Sequence, residues 1–112
     1  MKNFPDGFLN GCKSYNANEI VGLDLDYQEI AELKDNSFTS FEGLVALSIS
    51  QTNLETIKSK AFNGLTKLNL LVLSDNNISY IEPGSFDSLK AVKKIILRGN
   101  QYLSSLTTRY VL

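Results

Sequence analysis

The stretch "LNLLVLSDNNISYIEPGSF", Leu68 to Phe86, follows neither a helical nor an ordinary strand period. Its apolar residues Leu68, Leu71, Leu73, Ile78, Ile81 and Phe86 stand 3, 2, 5, 3 and 5 positions apart. A helix face repeats every three or four residues, and a half-buried strand every two. Leu71 and Leu73 alternate with their neighbours as a strand does. The following "DNN" is turn composition, and "EPGS" at Glu82 to Ser85 reads as exposed connection. The segment therefore predicts one short strand, a turn, and an irregular return whose apolar residues all reach one interior.

The reason for that spacing lies in the neighbouring sequence. Phe38, Phe62 and Phe86 stand 24 residues apart, as do Leu23, Leu47, Leu71 and Ile95, and Leu25, Ile49, Leu73 and Leu97. The series Ile30, Leu54, Ile78 and Tyr102 keeps the same step, as do Leu33, Ile57 and Ile81, and Phe41, Leu65 and Leu89. A polar column, Gln28, Thr52, Asn76 and Asn100, runs alongside. This is an internal repeat, and the repeat governs every later assignment. Each unit is too small to bury its own apolar face, so units must stack with like residue above like. The expected layout is a single domain, 1–112. Residues 1–19 form an N-terminal flank, 20–43, 44–67 and 68–91 form full units, and 92–112 form a partial unit with a C-terminal flank.

The pattern L-x-x-L-x-L-x-x-N-x-L-x-x-L-x-x-x-x-F-x-x-L, filled by "LNLLVLSDNNISYIEPGSFDSL", resembles the leucine-rich repeat family over about 20–102. The resemblance implies an α/β fold: a right-handed solenoid, or horseshoe segment, with a parallel sheet on its concave face. Loops and 3-10 turns would form the convex face. The 24-residue unit with a phenylalanine column looks like the subclass common in extracellular receptors and matrix proteins, such as Toll-like receptor ectodomains. That likeness implies an extracellular or cell-surface setting. Two departures count against it: a lone Cys12 cannot supply the cysteine-rich caps of such proteins, and "MKNFPDGFLNGC" lacks a secretory apolar region. A cytoplasmic setting stays open on that reading. In the family, the asparagine column bonds backbone groups of adjacent coils. Thr52 can do part of this, and the longer Gln28 does it poorly.

An uncapped stack exposes a layer of core at each end. Phe4, Phe8, Leu9, Cys12 and Tyr15 on one flank, and Leu103, Leu106 and Tyr110 on the other, read as makeshift caps. The competing expectation is a fragment of a larger receptor whose ends self-associate.

Composition narrows the function. The 112 residues are 43% hydrophobic with a net charge of −1, which suits one globular domain and gives no push toward nucleic acid or an anionic membrane. No stretch approaches a membrane span. With no histidine and one cysteine, the usual zinc ligands and imidazole-assisted nucleophiles are missing. The expectation is a non-enzymatic protein with no cofactor and no metal.

In the resembled family the concave sheet binds partners through the outward residues of stacked strands. Here those are Val21, Gly22, Asp24 and Asp26; Val45, Ala46, Ser48 and Ser50; Asn69, Leu70, Val72 and Ser74; and Lys93, Lys94, Ile96 and Arg98. Leu70, Val72 and Ile96 form an expected apolar patch rimmed by Lys94 and Arg98, the leading contact for a protein partner. β-Branched residues also suit a sheet on either face, which is the plainer account. Asp24 and Asp26 are a secondary contact, set against the usual solvated acidic face. An open sheet cannot desolvate that pair for acid–base work. Lys93, Lys94 and Arg98 without interleaved aromatics are a weak nucleic-acid footprint. Asn77-Ile78-Ser79 fits a glycosylation sequon, with Asn77 expected to face solvent. Cys12 reads as a small apolar filler. The functional expectation is a recognition module binding a protein on its concave face, with a structural or assembly role as the alternative.

Overall fold

The computed structural model describes residues 16–104. Phe4, Phe8, Leu9, Cys12, Tyr15, Leu106 and Tyr110, assigned above to caps, lie outside the described residues. A 3-10 turn at Ala17–Glu19 leads into six short strands: β1 (Gly22–Asp24), β2 (Ala46–Ser48), β3 (Thr56–Ile57), β4 (Leu70–Val72), β5 (Tyr80–Ile81) and β6 (Lys94–Ile96). β1, β2, β4 and β6 form one parallel sheet in that order. Its pairs, Leu23 with Leu47, Leu47 with Leu71 and Leu71 with Ile95, each join residues 24 apart. The sequence period is thus the sheet register, because only that step sets each apolar column against its own copy.

Parallel strands need a crossover, and here the crossovers are turns; among the described residues there is no α-helix. The return path carries a feature that the sequence reading did not identify. β3 and β5 form a second parallel pair, Thr56 with Tyr80 and Ile57 with Ile81, and a bridge from Glu32 to Thr56 extends it. Parallel strands with so little helix fit the α/β architecture expected of leucine-rich repeats.

The core lies between the two sheets. Leu25, Ile49 and Leu73 are fully buried in one column, and Ile30, Leu54 and Ile78 in another. Phe38 and Phe62 stack with ring centroids 6.0 Å apart and planes 17° apart; Phe62 and Phe86 repeat this at 6.1 Å and 24°. Phe38 and Phe62 are fully buried, whereas Phe86 is half-buried at the end of the row. Tyr102 is a correction. Expected in the column of Ile30, Leu54 and Ile78, it is 64% exposed. Asn100, two residues earlier, holds the inward position, and the chain turns at residues 101–102 before Leu103 packs back on the core.

The polar column binds the units together. Asn76 Nδ2 donates to the carbonyls of Ile49 (2.7 Å) and Leu73 (3.1 Å), and Asn100 Nδ2 donates to those of Leu73 (2.9 Å) and Leu97 (2.8 Å). Each Oδ1 accepts a backbone N–H from the preceding unit, that of Thr52 at 2.8 Å and that of Ile78 at 3.1 Å. Thr52 supplies its part through its hydroxyl, whereas Gln28 is exposed. Interior backbone groups must find partners, and a short amide can donate and accept across two units at once. Gln28 carries its amide one methylene further out.

Candidate functional site

Strand alternation places the outward residues of the four-stranded sheet in two rows at register. One row is Gly22, Ala46, Leu70 and Lys94; the other is Asp24, Ser48, Val72 and Ile96. Neighbours in a row are about 4.8 Å apart, so each row is a continuous strip. Gly22, Asp24 and Lys94 are exposed, and Ala46, Ser48, Leu70, Val72 and Ile96 are half-buried. A shallow depression opens where Gly22 and Ala46, nearly without side chains, meet Leu70 and Val72; Asp24 and Ser48 form its polar side. The strip passes from an acidic end, through small and then branched apolar residues, to Lys94 with Arg98 exposed beside it.

The expected patch of Leu70, Val72 and Ile96 is therefore brought together, with Lys94 and Arg98 at its border. Two further residues expected to face outward, Val21 and Val45, were left out of that patch. Val21 is 62% exposed and Val45 43% exposed, and Val45 N–H donates to the Val21 carbonyl at 2.8 Å. That carbonyl also accepts the Ala46 N–H at 3.1 Å. One oxygen serving two successive amides breaks strict alternation, so Val21 and Gly22 are both exposed. The equivalent spacing of Val21 and Val45 was visible in the sequence; the shared carbonyl was not.

The next position along the strands behaves differently. Asp26, Ser50 and Ser74 were expected to face outward. Ser50 and Ser74 are instead buried, 7% and 6% exposed, with their hydroxyls 3.2 Å apart. Asp26 is half-buried, and its Oδ1 accepts the Ser48 hydroxyl and the Ser50 N–H, both at 2.8 Å. The cause is the turn that follows. Tyr27, Gln51 and Asp75, with φ of 67°, 57° and 59°, and Gly99 at 81°, adopt the left-handed conformation in every unit. The residue before it lies between units in the first three, whereas Arg98, before Gly99 in the last, is exposed. The geometry gives Asp26 the work of joining two units. Among the described residues, the exposed Asp24 carboxylate accepts only the local Asp26 N–H, at 2.9 Å.

Asn77 is exposed between buried Asn76 and buried Ile78, and its backbone N–H donates to the Leu54 carbonyl at 3.0 Å. Ser79, the third residue of the sequon, is also exposed. Among the described residues no three His, Cys, Asp or Glu side chains gather as a metal site, and no helix is long and apolar enough to cross a membrane.

A stacked parallel sheet with an inward asparagine column defines a repeat protein. The family model described as leucine rich repeat matches residues 42–101, more than half of the chain, and the chain belongs to that family. Leucine-rich repeat domains generally mediate protein–protein interaction and are typically non-enzymatic. A search of curated proteins gave no match to this chain.

Proposed function

We propose that the chain is a recognition module whose outer sheet face binds a protein, with Leu70, Val72 and Ile96 as the apolar contact. Lys94 and Arg98 favour acidic groups at one rim, and Asp24 favours a basic group at the opposite end. The units form a right-handed solenoid of the 24-residue subclass resembling extracellular receptor repeats. The sheet is its concave wall, and the protein works outside the cell or at its surface. In that setting Asn77 accepts a glycan.

The observation that carries this reading is the half-exposure of three large apolar side chains on one strip of sheet. Water-facing strand positions ordinarily take polar residues, and a contiguous apolar strip with a charged rim is the composition of a contact surface. The test uses the full chain as bait against a displayed library of extracellular domains, with Val72→Ala/Ile96→Ala as comparator. A partner captured by the wild type and lost by the variant, with an unchanged circular dichroism spectrum, supports the reading. Equal capture by both moves the site off the sheet.

A further inference from the structure

Charge is sorted along the stack. Between residues 20 and 43 there are six carboxylates and one cation, Lys34; between 92 and 104 there are three cations and no carboxylate. The two ends of the sheet are thus opposite in sign. Among the described residues β1 and β6 are its edges, each paired on one side only. An edge strand presents a row of backbone donors and acceptors that another chain can pair. We propose that the protein associates head to tail with a second copy of itself, the β6 edge of one copy pairing in parallel with the β1 edge of the next.

The existing register fixes the contacts. Continuing the 24-residue step sets Gly22 of the incoming copy beside Lys94, Asp24 beside Ile96 and Asp26 beside Arg98. Asp24 then lies diagonal to both cations, within reach of long side chains across a strand pair. The apolar layer is uncovered at the β6 end only. Leu71 and Leu73 are fully buried, but Ile95 and Leu97, their counterparts in β6 and just after it, are half-buried and 7% exposed. Leu23 and Leu25, 5% and 0% exposed, are covered within their own copy, so the pairing is carried by the strand edges and their charges. Such a contact is heterologous and does not close on itself, so dimers grow into longer oligomers as concentration rises. Its electrostatic share weakens with salt.

The test is sedimentation of the full chain over a wide concentration range at low and high ionic strength. Concentration-dependent association, weaker at high salt, is expected. Lys94→Glu/Arg98→Glu makes both edges acidic, and Asp24→Lys weakens the acidic edge; each variant alone should associate at least about tenfold more weakly. Mixing the two variants restores opposite signs and should restore association, which also shows that both remain folded. A wild type that stays monomeric at every concentration overturns the proposal. So does association that the Lys94→Glu/Arg98→Glu variant retains, or a mixture that recovers none. The readout is separate from partner capture, since sedimentation of the chain alone involves no other protein.

Discussion

Thr52 and Asn76 meet at a single atom: the backbone N–H and the hydroxyl of Thr52 both donate to Asn76 Oδ1, at 2.8 and 2.7 Å. The same hydroxyl accepts the Leu54 N–H at 3.2 Å. With the two carbonyls bound by Nδ2, one amide side chain settles polar groups on both sides of a unit boundary.

Asn76→Ala removes the four bonds made by its own amide and leaves the Ile49 carbonyl and the Thr52 N–H without those partners, while the Leu73 carbonyl keeps Asn100 Nδ2. Leaving buried polar groups unsatisfied costs about 1–3 kcal/mol each, so the total loss should be about 3 kcal/mol or more. Gln28→Ala, at the same column but exposed, should change stability by less than about 0.5 kcal/mol. Urea midpoints of the two variants check the contrast.

The phenylalanine row gives a graded expectation. Phe62 is flanked by a ring on each side, at 6.0 and 6.1 Å, and is fully buried. Phe62→Ala should cost about 3–5 kcal/mol, through lost transfer energy and the cavity left behind. Phe86 is half-buried with one stacked neighbour, and its truncation should cost about half as much. Equal losses would mean that Phe86 is covered in solution as fully as Phe62.

Gly99 and Gly22 separate backbone constraint from mere absence of a side chain. A Cβ at Gly99, where φ is 81°, would collide with Asp75 Oδ1 and lie 2.9 Å from Asp75 Cγ and N. Gly99→Ala adds left-handed strain of about 1–2 kcal/mol and overpacking of about 1–3, so a loss of about 2–4 kcal/mol is expected. At Gly22 nothing lies within 4 Å of the added carbon. Gly22→Ala should be near neutral in thermal unfolding.

The sequence carried most of the architecture, because every unit repeats the same demand. Leu23, Leu47, Leu71 and Ile95 could be aligned by counting, and the sheet pairs them at that count. What it did not carry were features that depend on how the chain turns. Alternation alone sent Ser50 and Ser74 outward, but the left-handed residue that follows each strand takes them inside. Tyr27, Gln51 and Asp75 do not announce that conformation as a glycine would, and glycine stands at this turn position only in the last unit, at Gly99. Tyr102 failed for a related reason: its column was apolar in three units, and the turn after Asn100 releases it. The candidate patch was legible at Leu70, Val72 and Ile96, and Val21 and Val45 were legible as outward residues; the carbonyl that serves two amides between them was not.

The buried hydroxyl pair tests whether that inward turn contributes energy. Ser50 Oγ and Ser74 Oγ are 3.2 Å apart and almost free of solvent. Ser50→Ala strands the Ser74 hydroxyl, and Ser74→Ala strands that of Ser50. Each single change should therefore cost about 1–2 kcal/mol, mainly as the penalty of an unpaired buried group. Ser50→Ala/Ser74→Ala strands neither, and its loss should fall below the sum of the singles by about 0.5–1 kcal/mol. Additive losses in a double-mutant cycle measured by urea unfolding would show that the two hydroxyls face water independently, as plain strand alternation requires.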